Sequence, residues 1–447
     1  MSLRNFETIQ VSDKVAAVIS IDTKRLYDYE EQTPRKVKQG YRGMVEWGDD
    51  NELPNNLVTY VRDSEVLSAN KQFNMMLGYG RGLTVNYPEG KDLAETKQFF
   101  RRNNTVKYLL EQIADHKHFY WSASLLLLTK DGKKIARLKH KEAYHCRFEV
   151  NNEKNGKIEN IFYAVWEDSP TDKDIQVYPI LDEDDPLSDL MVRMGREPDP
   201  VTGKTRPMTK DRKFIIITRF PTPGHKYYPF PPYAAHFNSG WYDVAKMIPL
   251  GKKAKMENGL MIKYHVEIHK EYFPALFKSE NITDPDLQKT RRKTEFENIK
   301  NFLSGYEQAG KVWYSGFYVD PNGKEQNMIK INRIDSGKEG GDWIEDAEEA
   351  GNIQCYADGV HPSLIGAVPG KAKGSFSGTD KRELFTMKQA LEKPFRDLML
   401  IPFEVIREFN GWDEEITFEI PDMMLTTLDE KTDAKVTTHI IDDNNND

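Results

Sequence analysis

The histidines are the first residues whose type and spacing could support chemistry. His116 and His118 stand two residues apart, and His145 follows further along the chain. A strand is predicted here, so the first two would share one face, but no acid or cysteine stands nearby at the spacing of a zinc ligand. His265 and His269 lie in a segment of period-two alternation, where a strand would hold them about 13 Å apart. The sequence therefore predicts exposed or hydrogen-bonded histidines and no metal site.

A glycine-rich loop is the second candidate for chemistry. The run Gly366-Ala-Val-Pro-Gly370-Lys371 approaches a phosphate-binding loop, which needs four residues between its glycines and a Ser or Thr after the lysine. Here three residues separate the glycines and Ala372 follows the lysine, so no hydroxyl is placed to hold Mg²⁺. The simpler interpretation is a flexible surface loop that carries Lys371 and Lys373. We predict no catalytic residue, no cofactor and no enzymatic activity.

A long helix is predicted to carry this loop. Four glycines and two prolines fall within residues 362–378, a density that disfavours regular structure. Thr379 and Asp380 then stand where an N-cap and a first-turn acid belong, so a helix is expected from about residue 380. Apolar residues recur at three- and four-residue steps, and charged residues occupy the other face. The apolar set is Leu384, Leu391, Phe395 and Leu398, and the charged set is Lys388, Arg396 and Asp397.

The hydrophobic content, 38%, is low for a compact enzyme of 447 residues, and 30% of the residues are charged, with a net charge of −8. It suits a subunit with much surface, part of it buried against copies of itself. The acidic balance argues against a broad basic face that grips nucleic acid, but a mostly acidic wall with a few cations would let DNA slide past. No apolar run is long enough to predict a membrane span, and the first residues lack the apolar core that would predict a secretory signal. Cys146 and Cys355 form no CxxC motif, so neither a disulfide framework nor structural zinc is expected.

Periodicity predicts helices and strands in the first half of the chain. Two helical segments are expected over residues 53–77, another over 92–115, and one that opens at Ser239 and meets Pro249. Between them, short β-rich runs predict an antiparallel sheet beside helices. These runs are Phe119–Leu128, Lys134–Leu138, Ala143–Val150, Ile158–Trp166 and Phe214–Phe220. The polar insertion before the last run, with acidic Asp182–Asp185, is predicted to be a solvated loop.

A small module is predicted between two helices of the second half. It has a strand over 261–269, a helix over 284–306, and two strands, 312–319 and 326–331, around the Asn322-Gly323 turn. A helix from Asp342 to Ala357 follows, and its acids form a solvated face or a channel wall. After the long helix, residues 416–420 alternate as a strand, and a polar tail ends the sequence.

This order of segments resembles the C-terminal half of tailed-bacteriophage portal proteins. The sequence elements that carry the resemblance are HPSLIG, a glycine-rich loop with Ser-Phe-Ser-Gly-Thr-Asp, and a helix that begins Arg-Glu-Leu-Phe. Nearer the start, WGDDNELPNNL, then Ser68-Ala-Asn and Gly78-Tyr-Gly-Arg-Gly, resemble the early wing segment of the same family. The resemblance covers roughly residues 47 to 425 and rests on order and spacing.

The resemblance implies an α+β fold: an elongated portal-like subunit with an α/β wing, a helical stem, a small α/β clip, a tunnel loop and a long backbone helix. An N-terminal arm at 1–46, which lies on a neighbour or is disordered, is expected before the wing at 47–235. A first stem helix at 236–260, the clip at 261–336 and a second stem helix at 337–360 follow. The tunnel loop is expected at 361–379, the backbone helix at 380–411, and a strand with an acidic tail at 412–447. The helical crown of many family members would be reduced or missing.

The resemblance also implies a function. Twelve copies would form a ring at one capsid vertex, as the channel for viral double-stranded DNA in packaging and ejection. Expected partners are copies of itself, the DNA without sequence preference, the terminase large subunit, the major capsid protein and head-completion or tail connector proteins, with no membrane. The expected location is the virion, after assembly in the host cytoplasm. Two alternatives stay open: another virion structural or connector protein, and a nucleotide-dependent enzyme that processes nucleic acid.

Three groups of residues are implied to carry this function. Lys371, Lys373, Ser375 and Ser377 of the tunnel loop would face the DNA. Arg291, Arg292 and Lys293 of the clip would dock the motor and later the connector. Lys252, Lys253 and Lys255 would form a basic cluster at the end of the first stem helix, whose simpler interpretation is a solvated helix with a basic end.

Overall fold

The computed structural model describes residues 10–12, 15–16, 35–91, 93–258, 264–304, 317–319, 325–333, 342–366 and 378–423. The chain divides into two compact units. The larger unit comprises 24–235, 355–366 and 374–447, and the smaller unit comprises 1–23, 236–354 and 367–373.

Helices are distributed along the whole described part of the chain. They are α1 Leu53–Arg62, α2 Glu65–Tyr79, α3 Ala94–Arg102, α4 Thr105–Phe119, α5 Pro186–Arg193, α6 Ala235–Asn238, α7 Trp241–Asn258, α8 Tyr272–Ser279, α9 Pro285–Ser304, α10 Asp342–Ala357, α11 Pro362–Ile365, α12 Gly378–Ala390 and α13 Lys393–Asn410.

The strands are short and pair antiparallel. They are β1 Gln10–Ser12, β2 Val15–Ala16, β3 Thr84–Asn86, β4 Trp121–Leu128, β5 Ile135–Lys141, β6 Cys146–Phe148, β7 Asn160–Tyr163, β8 Gln176–Pro179, β9 Lys213–Arg219, β10 Tyr264–Ile268, β11 Phe317–Val319, β12 Glu325–Asn327, β13 Ile329–Arg333 and β14 Thr417–Glu419. In the larger unit the sheets run β5-β4-β9, β6-β7-β8 and β3-β14. An α+β fold with antiparallel sheets beside helices is therefore confirmed.

The core of the larger unit lies between β4, α4 and α13. Seven of the eight residues of β4 are buried, so both faces of this strand are covered, and β5 and β9 pair with its two edges. Tyr108 of α4 and Phe403 of α13 meet edge to face at 5.7 Å. Burial of so many large apolar side chains is the main source of stability in this unit, at about 25 cal/mol for each Å² removed from water.

The ends of the first helices follow the local sequence. Pro54 occupies the first turn of α1, where its missing N–H costs nothing. The Ser64 hydroxyl accepts a hydrogen bond from the Leu67 amide and caps α2, so the prediction of two helices over 53–77 is confirmed. The single helix predicted over 92–115 is two helices, because Asn104 caps α4 by accepting from the Lys107 amide.

Two predictions for the first half are wrong. His116 and His118 lie in the last turn of α4, not on a strand, because the helix continues until Tyr120 takes a left-handed conformation with φ of 64°. The polar insertion is not merely a solvated loop, since it contributes β8 and α5. Asp185 begins α5 by accepting from the Ser188 amide, and Pro186 stands in the first turn.

The smaller unit contains the predicted module between two helices. The predicted helix from Asp342 to Ala357 is confirmed at both ends, although its last three residues belong to the larger unit. Strand β10 pairs with β13, and β11 pairs with β12. The turn predicted at Asn322-Gly323 lies outside the described residues. Helix α8 was not predicted. Pro249 lies inside α7 without ending it.

The predicted long helix from residue 380 is two helices, α12 and α13. Pro394 stands in the first turn of α13, and proline clashes with the carbonyl four residues earlier, which belongs to Ala390 at the end of α12. The break resets which side chains face inward, so Leu391 is 74% exposed whereas Arg396 is buried. The predicted apolar and charged faces are wrong at these two positions.

The start of that region also differs from the prediction. Helix α12 begins at Gly378, so Thr379 lies inside the helix instead of at its cap, while Asp380 does stand in the first turn. The segment before it is not wholly irregular, because Pro362–Ile365 forms α11.

Candidate functional site at the roots of the glycine-rich segment

The predicted DNA-facing residues Lys371, Lys373, Ser375 and Ser377 lie outside the described residues. What the structure does describe are the two segments that flank residues 367–377. The entry root is 358–366, which follows α10, and the exit root is 378–392, which is α12 and the break after it. Both roots are held on the larger unit by buried charged residues, and these form the candidate site.

Asp358 fixes the entry root to α2. The Nζ atom of Lys71 lies 2.6 Å from a carboxylate oxygen of Asp358, and both side chains are buried, with 7% and 0% exposure. Asn74, one turn further along α2, donates from its side-chain amide to the backbone oxygen of Asp358 at 3.2 Å. The thiol of Cys355 lies 3.7 Å from the side-chain oxygen of Asn70. One face of α2 therefore binds the chain where α10 ends.

Lys71 is a cation in an apolar setting. Its Nζ atom lies 3.1 Å from the centre of the Tyr233 ring, an arrangement that favours the charged form. Burial nevertheless lowers the pKa of Lys71 to about 8, although Asp358 acts in the opposite direction; Lys117 and Lys388 lower it further. Lys71 is still mostly protonated at neutral pH, so the Lys71–Asp358 contact is an ion pair.

Glu392 fixes the exit root to α4. The Nζ atom of Lys117 lies 2.6 Å from one carboxylate oxygen of Glu392, and that of Lys388 lies 4.0 Å from the other. Lys117 also stands 3.7 Å from the centre of the Phe395 ring. Burial lowers the pKa of Lys117, and the carboxylate of Glu392 opposes that shift. The break between α12 and α13 is thus the point at which the exit root is anchored.

Arg396 provides a second anchor just after the break. It donates to the backbone oxygens of Leu77 at 2.9 Å and Gly78 at 3.3 Å, and its guanidinium pairs with Asp422. A side chain at Gly78 would lie 2.9 Å from the Phe395 ring, so only glycine allows this close packing. These backbone oxygens belong to the last residues of α2, where a cation is favourable.

The Gly78-Tyr-Gly-Arg-Gly run is a packing feature for the same reason. Gly80 has a φ of 53°, and a Cβ atom there would lie 2.5 Å from the backbone oxygen of Pro421. The amide of Arg81 donates to the same oxygen at 3.0 Å. The run therefore joins the end of α2 to the chain that follows β14.

Together, Lys71, Lys117, Lys388, Asp358 and Glu392 form a buried network, hereafter the root network. It contains three cations and two carboxylates, and it joins α2 and α4 to both roots of the glycine-rich segment. Sequence reasoning missed it, because Lys71 and Asp358 are 287 positions apart and each belongs to a helix or helix end that looks solvated by itself. The root network holds the backbone of the two roots in place against α2 and α4.

Three described groups that could do other chemistry, His116, Cys146 and Cys355, are engaged or inert. His116 lies 2.9 Å from the Thr218 hydroxyl, and burial lowers its pKa well below the usual value, so it is neutral. Burial also raises the thiol pKa of Cys146 and of Cys355. Within the described ranges, no group of three His, Cys, Asp or Glu residues is placed to hold a metal ion. No helix among the described residues is long and apolar enough to cross a membrane.

The three predicted clip residues differ in their surroundings. Arg291 binds both carboxylate oxygens of Glu280 and also pairs with Glu295 at 2.7 Å, so it joins α8 to α9. Arg292 stands 4.9 Å from the centre of the Phe273 ring. Lys293 is exposed. Arg291 is therefore built into the module, whereas Lys293 is exposed, and the docking role of these residues stays a prediction.

The predicted basic cluster of α7 is described only in part. Lys252 is half-buried, Lys253 is exposed, and the side chain of Lys255 lies outside the described residues. Beside them, the Trp343 ring of α10 packs on Gly251, where a Cβ atom would lie only 2.2 Å from the ring. This contact fixes how α7 and α10 cross within the smaller unit.

Comparisons with known proteins give a likeness in fold. No family model and no curated protein matches the sequence. Among solved structures, a chain of the virion of a native gene transfer agent (GTA) particle matches with a TM-score of 0.53 and 12% identity, over 81% of this chain and 83% of that one. A chain of the neck of an empty GTA particle, computed with C6 symmetry, matches at 0.54 and 13%, over 86% and 87%. A chain of the neck of a native GTA particle, computed with C12 symmetry, matches at 0.52 and 14%, over 85% and 86%.

Proposed function

We propose that this chain is a portal protein, a non-enzymatic subunit that forms a ring at one vertex of a phage-like capsid. The observation that carries the proposal is the likeness of fold to neck chains of GTA particles computed with C6 and C12 symmetry, which spans more than four-fifths of both chains. Such a ring is the channel for double-stranded DNA in packaging and ejection. It docks the terminase large subunit first and head-completion or tail connector proteins later, and it contacts the major capsid protein.

The arrangement of the second half supports this proposal. Helix α7, the small module with β10 to β13, helix α10, the glycine-rich segment, and α12 with α13 follow one another in the order expected of stem, clip, stem, tunnel loop and backbone helix. Portal proteins, which the sequence resembles, have an internal proline in the backbone helix, and Pro402 lies inside α13. The root network anchors both ends of the proposed tunnel loop, which a loop beside a moving duplex requires.

The charge of the chain fits a channel for DNA better than a tight binder. With a net charge of −8, the subunit repels phosphates over much of its surface. Lys371 and Lys373 contact phosphates without reading bases, because ammonium groups on flexible stems carry no sequence information. Replacing both by glutamine should weaken the salt dependence of DNA binding. The slope of log binding constant against log salt concentration should fall by about one unit for each lysine.

Another connector protein of the same particle is the second candidate function. The helix–module–helix order of α7 to α10 favours the portal, since it provides a separate module for docking. The proposal predicts that Lys293→Glu weakens binding of terminase or of the connector while rings still form. Variants of the module that lose rings but keep docking would show that the assignment of 261–336 is wrong.

Electron microscopy of the purified full-length chain tests the function directly. Rings with a central hole are expected, with a mass near 620 kDa for twelve copies of the 51.8 kDa chain, measured by mass photometry. In a map of the ring, residues 364–378 should face the axis. A monomer at micromolar concentration, or a ring with this segment on its outer rim, would overturn the proposal.

A further inference from the structure

Helix α7 carries an exposed apolar stripe between basic residues. Met247 and Leu250 are 59% and 58% exposed, although large apolar side chains on a helix normally face a core. Lys246 and Lys253 are exposed too, and they stand one turn before and one turn after Leu250 on the same face. Because Trp343 of α10 packs on Gly251, α10 of the same chain touches α7 without covering this stripe.

Helix α10 carries an exposed face of the opposite charge. Glu345, Glu349 and Asn352 follow at four- and three-residue spacing, so they share one face, and all three are exposed. Asp346 is exposed beside them. The smaller unit of one chain therefore presents a basic, apolar surface on α7 and an acidic surface on α10.

We infer that the α7 stripe of one copy binds the acidic α10 face of the next copy. This deepens the proposed function, because it names the surfaces that close the ring. A cyclic ring needs a heterologous interface, in which one patch of a subunit meets a different patch of its neighbour. Two patches of opposite charge on one chain meet that need, and the apolar stripe supplies an area that association removes from water.

Charge reversal on each surface tests the pairing. The α7 variant is Lys246→Glu with Lys253→Glu, and the α10 variant is Asp346→Lys with Glu349→Lys. Each variant alone places like charges across every interface, so we expect the fraction of chains in rings to fall by at least about tenfold in low salt. Lys278→Glu on α8 with Lys289→Glu on α9 makes the same change of charge as the α7 variant at two exposed positions elsewhere in the smaller unit and should leave the rings unchanged.

Mixing the two variants separates contacts between copies from contacts within a chain. In an alternating ring, the acidic α7 of one variant meets the basic α10 of the other, and the basic α7 meets the acidic α10, so rings should return to at least half of the wild-type fraction. Pairs within each chain stay mismatched in the mixture, and rescue therefore reports only on neighbours. Circular dichroism and thermal unfolding of each variant check that the chains are folded.

Each result has a definite meaning. Rings lost in both variants and restored by mixing support the inference. Rings that persist in either variant, or no recovery on mixing, overturn it while leaving the proposed ring intact. A wild-type chain that forms no ring contradicts the proposed function instead. Should a reversed variant fail to fold, Met247→Ser with Leu250→Ser removes only the apolar stripe, and undiminished rings of that variant would also overturn the inference.

Discussion

Lys71 and Asp358 form a buried ion pair with 2.6 Å between Nζ and a carboxylate oxygen, although 287 positions separate them in the sequence. The pair joins α2 to the chain that enters the glycine-rich segment. Removal of one partner leaves the other charge buried without compensation, which typically costs about 3–5 kcal/mol.

We therefore expect Lys71→Met to lower the free energy of unfolding by about 3–5 kcal/mol, measured by urea denaturation. The matched control is Lys393→Met, which breaks the exposed pair with Asp397 on α13 and should cost at most about 1 kcal/mol. Lys71→Met combined with Asp358→Leu should recover much of the loss, because an apolar pair of similar volume needs no countercharge. Equal effects of the two single variants would argue against a buried network.

His116 makes the free energy of unfolding depend on pH. Burial is the main reason that its pKa is lowered, and the neighbouring Lys117 and His140 add to the shift. In the unfolded chain the imidazole binds a proton near pH 6.5, whereas the folded chain excludes that proton, so stability is lost as the pH falls below that value. The free energy of unfolding should therefore fall progressively as the pH is lowered below about 6.5.

His116→Gln should remove this contribution, since glutamine stays neutral and can still bind the Thr218 hydroxyl. The measurement is the free energy of unfolding against pH for both proteins, with His269→Gln as a control that removes an imidazole from the smaller unit. A His116→Gln protein that is as acid-sensitive as the wild type would contradict the assignment.

Gly251 is required by the contact between α7 and α10. A Cβ atom there would lie 2.2 Å from the Trp343 ring, so Gly251→Ala should displace the ring and cost about 1–3 kcal/mol. Gly378→Ala at the start of α12 meets open space and should be neutral or stabilising by up to about 1 kcal/mol. Thermal unfolding of the two variants compares them; a Gly251→Ala protein as stable as the wild type would show that the helices can separate at no cost.

Arg291 and Lys293 should behave differently although they are two residues apart. Arg291→Ala removes the bonds to Glu280 and Glu295 and should lower the resistance of the smaller unit to limited proteolysis. Lys293→Ala should not, because its side chain is exposed. Equal protease sensitivity of the two variants would mean that the Arg291 pairs do not join α8 to α9.

ATP turnover should be absent from the purified chain. The segment after Gly366 lacks the hydroxyl that would hold Mg²⁺, because Ala372 follows Lys371. The assay is phosphate release with and without DNA, and the control is Lys371→Ala. Turnover in the wild type that this substitution abolishes would overturn the structural interpretation.

Much of the local structure can be predicted from the sequence, because its causes are local. Periodicity, caps and turn residues that lie within a few positions of one another predict helices α1 and α2, the bounds of α10 and the strands around β4. The break before α13 was also encoded locally, by Pro394, but the apolar spacing across it suggested one continuous helix. The helical setting of His116 was missed because α4 extends beyond the point at which the β-rich pattern begins.

The root network was decided by tertiary structure alone. Residue type indicates that Lys71, Lys117 and Glu392 prefer water. Glu392 has one partner nearby in the chain, Lys388 at 4.0 Å, but its closer partner Lys117 and the partner of Lys71 come from distant segments. Only the packing of α2 and α4 against the ends of α10 and α12 brings cations and carboxylates within 2.6 Å and excludes water around them. Burial of a charge becomes tolerable only when its countercharge is buried beside it, and that condition depends on chain segments that are distant in sequence.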